Sequence, residues 1–184
     1  MPLQKTTPEE IIKKSINVFR AKGYYRTSMN DLAEGAGLTK GIFYHYFSGK
    51  EDVMKRALEA TRLWFNNKIF SIAYDESITK KERLEKIAAT IFKAFTDNPG
   101  GCFFANTILE TVHVEATFVT EITAFFELWE KAMAHLFEDS YTGDALKELT
   151  QQVIADIEGS IVIMQLKKDP DLLQKALDRS VNKL

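Results

Sequence analysis

The chain has 184 residues, of which 45% are hydrophobic, enough to bury a core and to build one or two small domains. No apolar run reaches the ~20 residues of a membrane span, MPLQKTTPEE lacks the apolar centre of a signal peptide, and a single cysteine excludes an intramolecular disulfide, so a reducing cytoplasm without membrane contact is expected. The net charge of −2 is unevenly spread: residues 1–60 hold ten Lys/Arg against seven Asp/Glu, and residues 61–184 hold fourteen against nineteen.

Residues 1–6 read as a mobile basic tail. Thr7-Pro8-Glu9-Glu10 supplies a cap, a proline at the first helical position and a closing glutamate. The helix so begun runs to about Lys22, with Ile12, Ser15, Ile16 and Phe19 on one side, and Gly23 ends it. Tyr24 and Tyr25 are expected to brace the segment that follows. Ser28-Met29-Asn30-Asp31 is a second capping box, opening a short helix with Met29, Leu32, Ala33 and Ala36 on its inner face. Gly37 permits the positive φ that closes a helix tightly. Thr39 caps another short helix, with Ile42, Phe43, Tyr46 and Phe47 inward and Thr39, Lys40, Gly41, Tyr44 and His45 outward. Two short helices joined by a glycine turn form a helix-turn-helix unit. An outer face of donors and rings with no acid suits a helix that enters the major groove. Ser48-Gly49-Lys50-Glu51 starts the next helix at once, placing free amides and a lysine together as an anion site.

TSMNDLAEGAGLTKGIFYHYFSGKEDV resembles the DNA-binding signature of the TetR family of transcriptional regulators. The landmarks are the Thr/Ser pair, Ala33 with Gly37 four residues on, the Lys40-Gly41 opening, Tyr44-His45-Tyr46-Phe47, then Lys50-Glu51. The match spans residues 7–58, and beyond it the likeness is one of size and helical character. The resemblance implies an all-α homodimer that binds operator DNA and releases it when a small molecule occupies the C-terminal domain. It divides the chain into a helix-turn-helix DNA-binding domain at 1–50 and an effector-binding and dimerisation domain at 51–184. Gly35 departs from the pattern, since a better helix former is usual there, and is expected to weaken the last turn of its helix.

From Lys50 helical spacing continues through Val53, Ala57, Leu58, Thr61, Trp64, Phe65 and Ile69 to Ile72. Asp75 to Ile78 read as a loop. Thr79-Lys80-Lys81-Glu82 is a further capping box, followed by Leu84, Ile87, Ala88, Ile91, Phe92 and Phe95, and Asn98-Pro99-Gly100-Gly101 breaks the helix. A short helix is expected at 103–114, an aromatic one at 116–138, another at 145–166 and a last one after Pro170, which Asp169 caps, about nine helices in all. No β alternation or internal repeat is present.

Four DNA contacts are expected to dominate: Lys40 and Tyr44 at base edges, His45 beside them, and Lys50 on phosphate regardless of sequence. Thr27, Ser28, Thr39 and Tyr46 are lesser phosphate partners, with Gly41 on the same face. The helix at 103–114 carries Cys102, Asn106, Glu110 and His113 at i, i+4, i+8 and i+11, one face at 100° per residue. Turned inward, that stripe would give polar anchors to an effector pocket walled by Trp64, Phe65, Phe92, Phe95, Phe118 and Trp129. Turned outward it is a solvated face, and paired with neighbouring helices it is a set of buried hydrogen bonds. The helices at 116–138 and 145–166 carry more apolar surface than one core face needs, so Phe125, Phe126, Trp129, Gly159, Ser160, Val162 and Ile163 are expected at a two-fold dimer interface. Enzymatic motifs are absent: His45, His113 and His135 are scattered, Cys102 and His113 lack a third orienting group, and no cofactor or metal is expected. The remaining alternative is a helical protein–protein module that does not bind DNA.

Overall fold

The computed structural model describes residues 7–97, 100–114 and 116–184. Among the described residues the fold is all-α: α1 Pro8–Lys22, α2 Met29–Ala36, α3 Lys40–Tyr46, α4 Lys50–Lys68, α5 Lys80–Thr96, α6 Phe103–Thr111, α7 Val119–Phe137, α8 Gly143–Lys167 and α9 Asp171–Val181. The tail at 1–6 and the Asn98-Pro99 part of the expected break lie outside the described residues.

Local capping starts the helices where the sequence places it. Thr7, Ser28 and Thr79 each accept an amide at the third helical position, and Glu10, Asp31 and Glu82 return the bond to the cap's own N–H. Thr39 makes only the forward bond, to Ile42 N at 3.4 Å. At α4 the reciprocal partner is one residue later than expected. Ser48 N–H donates to Asp52 at 3.0 Å, while Glu51 pairs with Lys55. Gly37 closes α2 in the left-handed region at φ 73°.

Two expectations are corrected. The long helix ends at Lys68, short of Ile72, and a 3-10 turn covers Phe70–Tyr74. Ile69, Phe70 and Ala73 are all buried there, and the buried Arg83 guanidinium takes the carbonyls of Ala73 at 3.2 Å and Ile78 at 3.0 Å. The turn delivers the Ala73 carbonyl, and the loop after it delivers that of Ile78. Asp169 does not cap α9 at its N-cap position, which Pro170 occupies, although its carboxylate accepts the Asp171 N–H at 3.1 Å.

The chain forms two compact units, one from residues up to 62 with 106–122, the other from 63–105 with 123–184, so α4, α6 and α7 each contribute to both. The functional boundary expected at 50/51 is not the boundary of these units. The first unit's core gathers Ile11, Phe19, Leu32, Phe43, Phe47, Val53, Leu58 and Phe118. Gly35 has a packing reason here: a Cβ at that position would lie 2.5 Å from Val18 Cγ2 of α1. The second unit's core is aromatic, with Phe125 stacked on Phe104 at 3.8 Å between centroids and in edge contact with Phe65 and Trp129.

Candidate DNA-reading surface and effector region

Phe43 and Phe47 are the buried anchors of α3, in contact with each other at 4.9 Å, and they fix which face of the helix points out. Lys40, Gly41, Tyr44 and His45 are all exposed on that face, Tyr44 at 48%, and no acidic side chain lies within α3. Ile42 and Tyr46, expected inward, are exposed as well, so the outer surface of α3 is broader and more apolar than the sequence suggested. No atom lies within 4 Å of a Cβ placed on Gly41, which leaves the opening of α3 uncovered for close approach. Ser28 and Thr39 are exposed caps. Thr27 is turned inward instead: it is buried and its hydroxyl donates to Gly23 O at 2.6 Å, so it secures the turn before α2. Lys22 pairs with Asp31, and that carboxyl is held far below its usual range by Lys22 first and Ser28 second. The pair ties the end of α1 to the start of α2.

Lys50 is half-buried and engaged within the chain. Its ammonium donates to Tyr24 O at 2.9 Å and lies 4.3 Å from the centroid of the Tyr24 ring. On the other side of the same residue, Glu110 of α6 accepts the Tyr24 N–H at 2.6 Å. The Gly23-Tyr24 turn is therefore gripped from α4 and from α6 at once. Gly23 sits at φ 77°, and a Cβ there would fall 2.3 Å from the Glu110 carboxylate, so only glycine admits this approach. Partial burial lowers the Lys50 ammonium from its usual value, and the Glu110 charge opposes that shift. Phe118 closes the site with an edge contact on Tyr24 at 4.8 Å.

These contacts distribute the expected polar stripe. Glu110 belongs to the Tyr24 turn, Asn106 and His113 are exposed, and only Cys102 is deeply buried. The stripe does not converge on one inward site. Of the expected walls, Phe65, Phe95 and Trp129 are buried in the second unit, Phe92 is half-buried, Trp64 is exposed, and Phe118 belongs to the first unit's core. Sequence reasoning missed Glu158 of α8. Both its carboxylate oxygens are buried without a hydrogen-bond partner, and burial raises its pKa to about 7. It lies against the Cys102 thiol, whose own pKa is pushed well up, first by burial and then by the Glu158 charge. A visible signal existed: Glu158 sits four residues after Ile154 and three before Ile161, inside the row that buries both.

The family model of bacterial regulatory proteins, tetR family, matches residues 11–57. That of the C-terminal domain of LmrA/YxaF-like transcriptional regulators matches residues 81–179, more than half of the chain. The chain belongs to the TetR family. It is similar to the HTH-type transcriptional repressor DhaR of Mycobacterium sp. (strain GP1), 25% identical over 175 residues, 92% of this chain and 87% of that one. It is likewise similar to the HTH-type transcriptional regulator YxaF of Bacillus subtilis (strain 168), 26% identical over 165 residues, 88% and 86% of the two chains. The crystal structure of a TetR transcriptional regulator from Legionella pneumophila shares the fold at a TM-score of 0.88, with 18% identity and the full length of both chains covered. A regulatory protein TetR from Rhodobacter sphaeroides does so at 0.83, with 22% identity over 95% and 97% of the two chains. This TetR-family chain is a DNA-binding transcriptional regulator whose helix-turn-helix is α2 and α3.

In this regulator the expected interface residues separate into two groups. Phe125 and Trp129 are buried inside the chain, where they complete the aromatic core, and Phe126 is half-buried. On α8, Gly159, Val162 and Ile163 are exposed, Ser160 is half-buried, and Leu166 is 78% exposed one turn on. Gly159, Ser160 and Ile163 also line an open groove of about 300 Å³ between α8 and α9, with Asp156 and Arg179 paired at 2.7 Å on its wall. No helix among the described residues is long and apolar enough to cross a membrane.

Proposed function

We propose that this regulator is a repressor that acts in the cytoplasm, binds a palindromic operator as a homodimer, and leaves it when a small molecule occupies the second unit. The observation that carries the reading is the outer face of α3. Lys40, Tyr44 and His45 stand exposed on a helix locked from behind by Phe43 and Phe47, which is the chemistry a major-groove reader needs. Lys40 and Tyr44 read base edges, and Ser28, Thr39 and Lys50 hold phosphates. An ammonium has three protons, so Lys50 can keep Tyr24 O and still reach a phosphate.

One head reads too few base pairs for selectivity, and a two-fold dimer doubles the site. The exposed Val162, Ile163 and Leu166 of α8 favour that helix as the dimer face, a run of apolar side chains that a lone chain leaves in water. Release by a ligand requires that it bind the DNA-incompetent state more tightly. Glu110 and Lys50, meeting on the Tyr24 turn, give α6 a direct hold on the helix-turn-helix, so movement of α6 alters how the head is presented.

Fluorescence anisotropy on the DNA upstream of the protein's own gene tests the reading. The wild type binds with a steep salt dependence, and Tyr44→Ala lowers affinity for that site while its weak binding to unrelated duplex is retained. Equal binding of every duplex by both proteins would refute sequence reading by α3. Sedimentation that shows only a species near 21.0 kDa at micromolar concentration would refute the dimer.

A further inference from the structure

Glu158 is half-buried, but both its carboxylate oxygens are buried, with only the Cys102 thiol beside them. Neither carboxylate oxygen has a hydrogen-bond partner, and Glu158 forms no ion pair among the described residues. The thiol of Cys102 beside it is a weak donor that cannot replace the water a carboxylate gives up on burial. Native proteins seldom leave such a group unpaired, and one that persists calls for a partner or a role of its own. The surroundings hold the carboxyl where it is. Glu158 and Gln165 are two turns apart on one face of α8, and Gln165 is pressed against Gly101, where a Cβ would lie 2.3 Å from the amide nitrogen. α8 is thus in close contact with the segment that carries Cys102. The same unit contains a buried donor without a partner, Trp129 Nε1, within the ring cluster of Phe70, Phe125 and Phe126.

We propose that Glu158 anchors the effector of this regulator, and that the effector is an amine with an apolar body. A protonated amine supplies the several donors that two bare carboxylate oxygens lack, and it cancels their charge. Aromatic faces accept such cations and their hydrocarbon parts alike. At pH 8, where Glu158 is ionised, an organic anion meets like charge at the same point and is disfavoured, so the comparison of amine with carboxylate is made there. This inference rests on the reading that the second unit receives an effector. It moves the polar anchor from the exposed stripe of α6 to α8.

The test uses the full chain and a panel of arylalkylamines of graded length, each matched by the alcohol and the carboxylate of the same skeleton, with binding followed by titration calorimetry. Amines bind the wild type, carboxylates do not, and Glu158→Gln weakens the best amine at least about tenfold. Cys102→Ser leaves amine affinity within about twofold, since the thiol is not the anchor. Carboxylates binding as tightly as amines, no amine binding at all, or an unchanged amine affinity in Glu158→Gln would each overturn the proposal. Selectivity between amine and carboxylate is read on the wild type, so the outcome does not depend on how a variant folds. Operator anisotropy on the same samples separates the two levels. Loss of DNA recognition in the wild type defeats the regulator reading, whereas intact recognition with no preference for amines defeats only the role given to Glu158.

Discussion

Replacing Glu158 by glutamine should make the protein more stable at neutral and alkaline pH and change little in acid. Burial raises the Glu158 carboxyl from its usual 4.5 to about 7, because the low-dielectric interior disfavours the charged form; the Cys102 contact works weakly the other way. The sign follows from which state holds the proton. Below pH 4.5 the carboxyl is protonated folded or unfolded, and its contribution to stability is fully present. Between 4.5 and 7 the unfolded chain ionises while the folded chain resists, so stability falls as pH rises, and above 7 the loss is complete. A displacement of about 2.5 pH units at 1.36 kcal/mol each amounts to about 3 kcal/mol. Glutamine keeps the shape and cannot ionise. Urea unfolding followed by circular dichroism at pH 4.5 and pH 8, at one fixed protein concentration, isolates the effect by difference, since every other titrating group is common to both proteins. The stability gap between variant and wild type should widen by about 3 kcal/mol toward pH 8. A gap that stays constant would refute the reasoning, for it would mean that the carboxylate is charged and paired in solution.

Cys102 should resist iodoacetamide in the native protein at pH 7.5 and react once urea unfolds it, because burial and the Glu158 charge hold the thiol protonated; rapid native alkylation would show that the thiol is accessible. Gly35→Ala should lower the melting temperature although alanine is the better helix former, since the new methyl meets Val18; a rise would mean that Val18 yields freely. Glu110→Ala should cost about 1 kcal/mol in unfolding free energy by leaving the Tyr24 N–H without its carboxylate, and an unchanged value would mean that water replaces the bond fully. Arg83→Ala should cost roughly 2–3 kcal/mol by orphaning the Ala73 and Ile78 carbonyls, while denaturation identical to wild type would show that the 3-10 turn does not depend on the guanidinium.

The helix-turn-helix was legible because its determinants are local. A cap and its reciprocal acid lie three residues apart, as at Ser28 and Asp31, and the glycine that ends α2 is the next residue after it. Where two acids followed a cap, sequence favoured Glu51 and the chain used Asp52, a difference of one residue that spacing alone does not resolve. The 3-10 turn after α4 was illegible because the group that demands it, Arg83, lies on the next helix and reads by pattern as an ordinary surface arginine. The Glu110–Tyr24 bond spans 86 residues and joins a side chain to a backbone amide, which no periodicity reports.

The polar residues at 102–113 are divided by the fold. Of the four, only Asn106 and Glu110 lie within α6, which begins after Cys102 and ends at Thr111, and α6 passes from the second unit into the first along its length. Cys102 falls in the aromatic unit beside Glu158, while Glu110 falls in the DNA-reading unit beside Lys50. A stripe is a property of one helix, whereas a site is a property of everything packed around it. Once the stripe is divided between units, its two ends acquire different work: a buried thiol and carboxyl at one end, and a charge that grips the Tyr24 turn at the other.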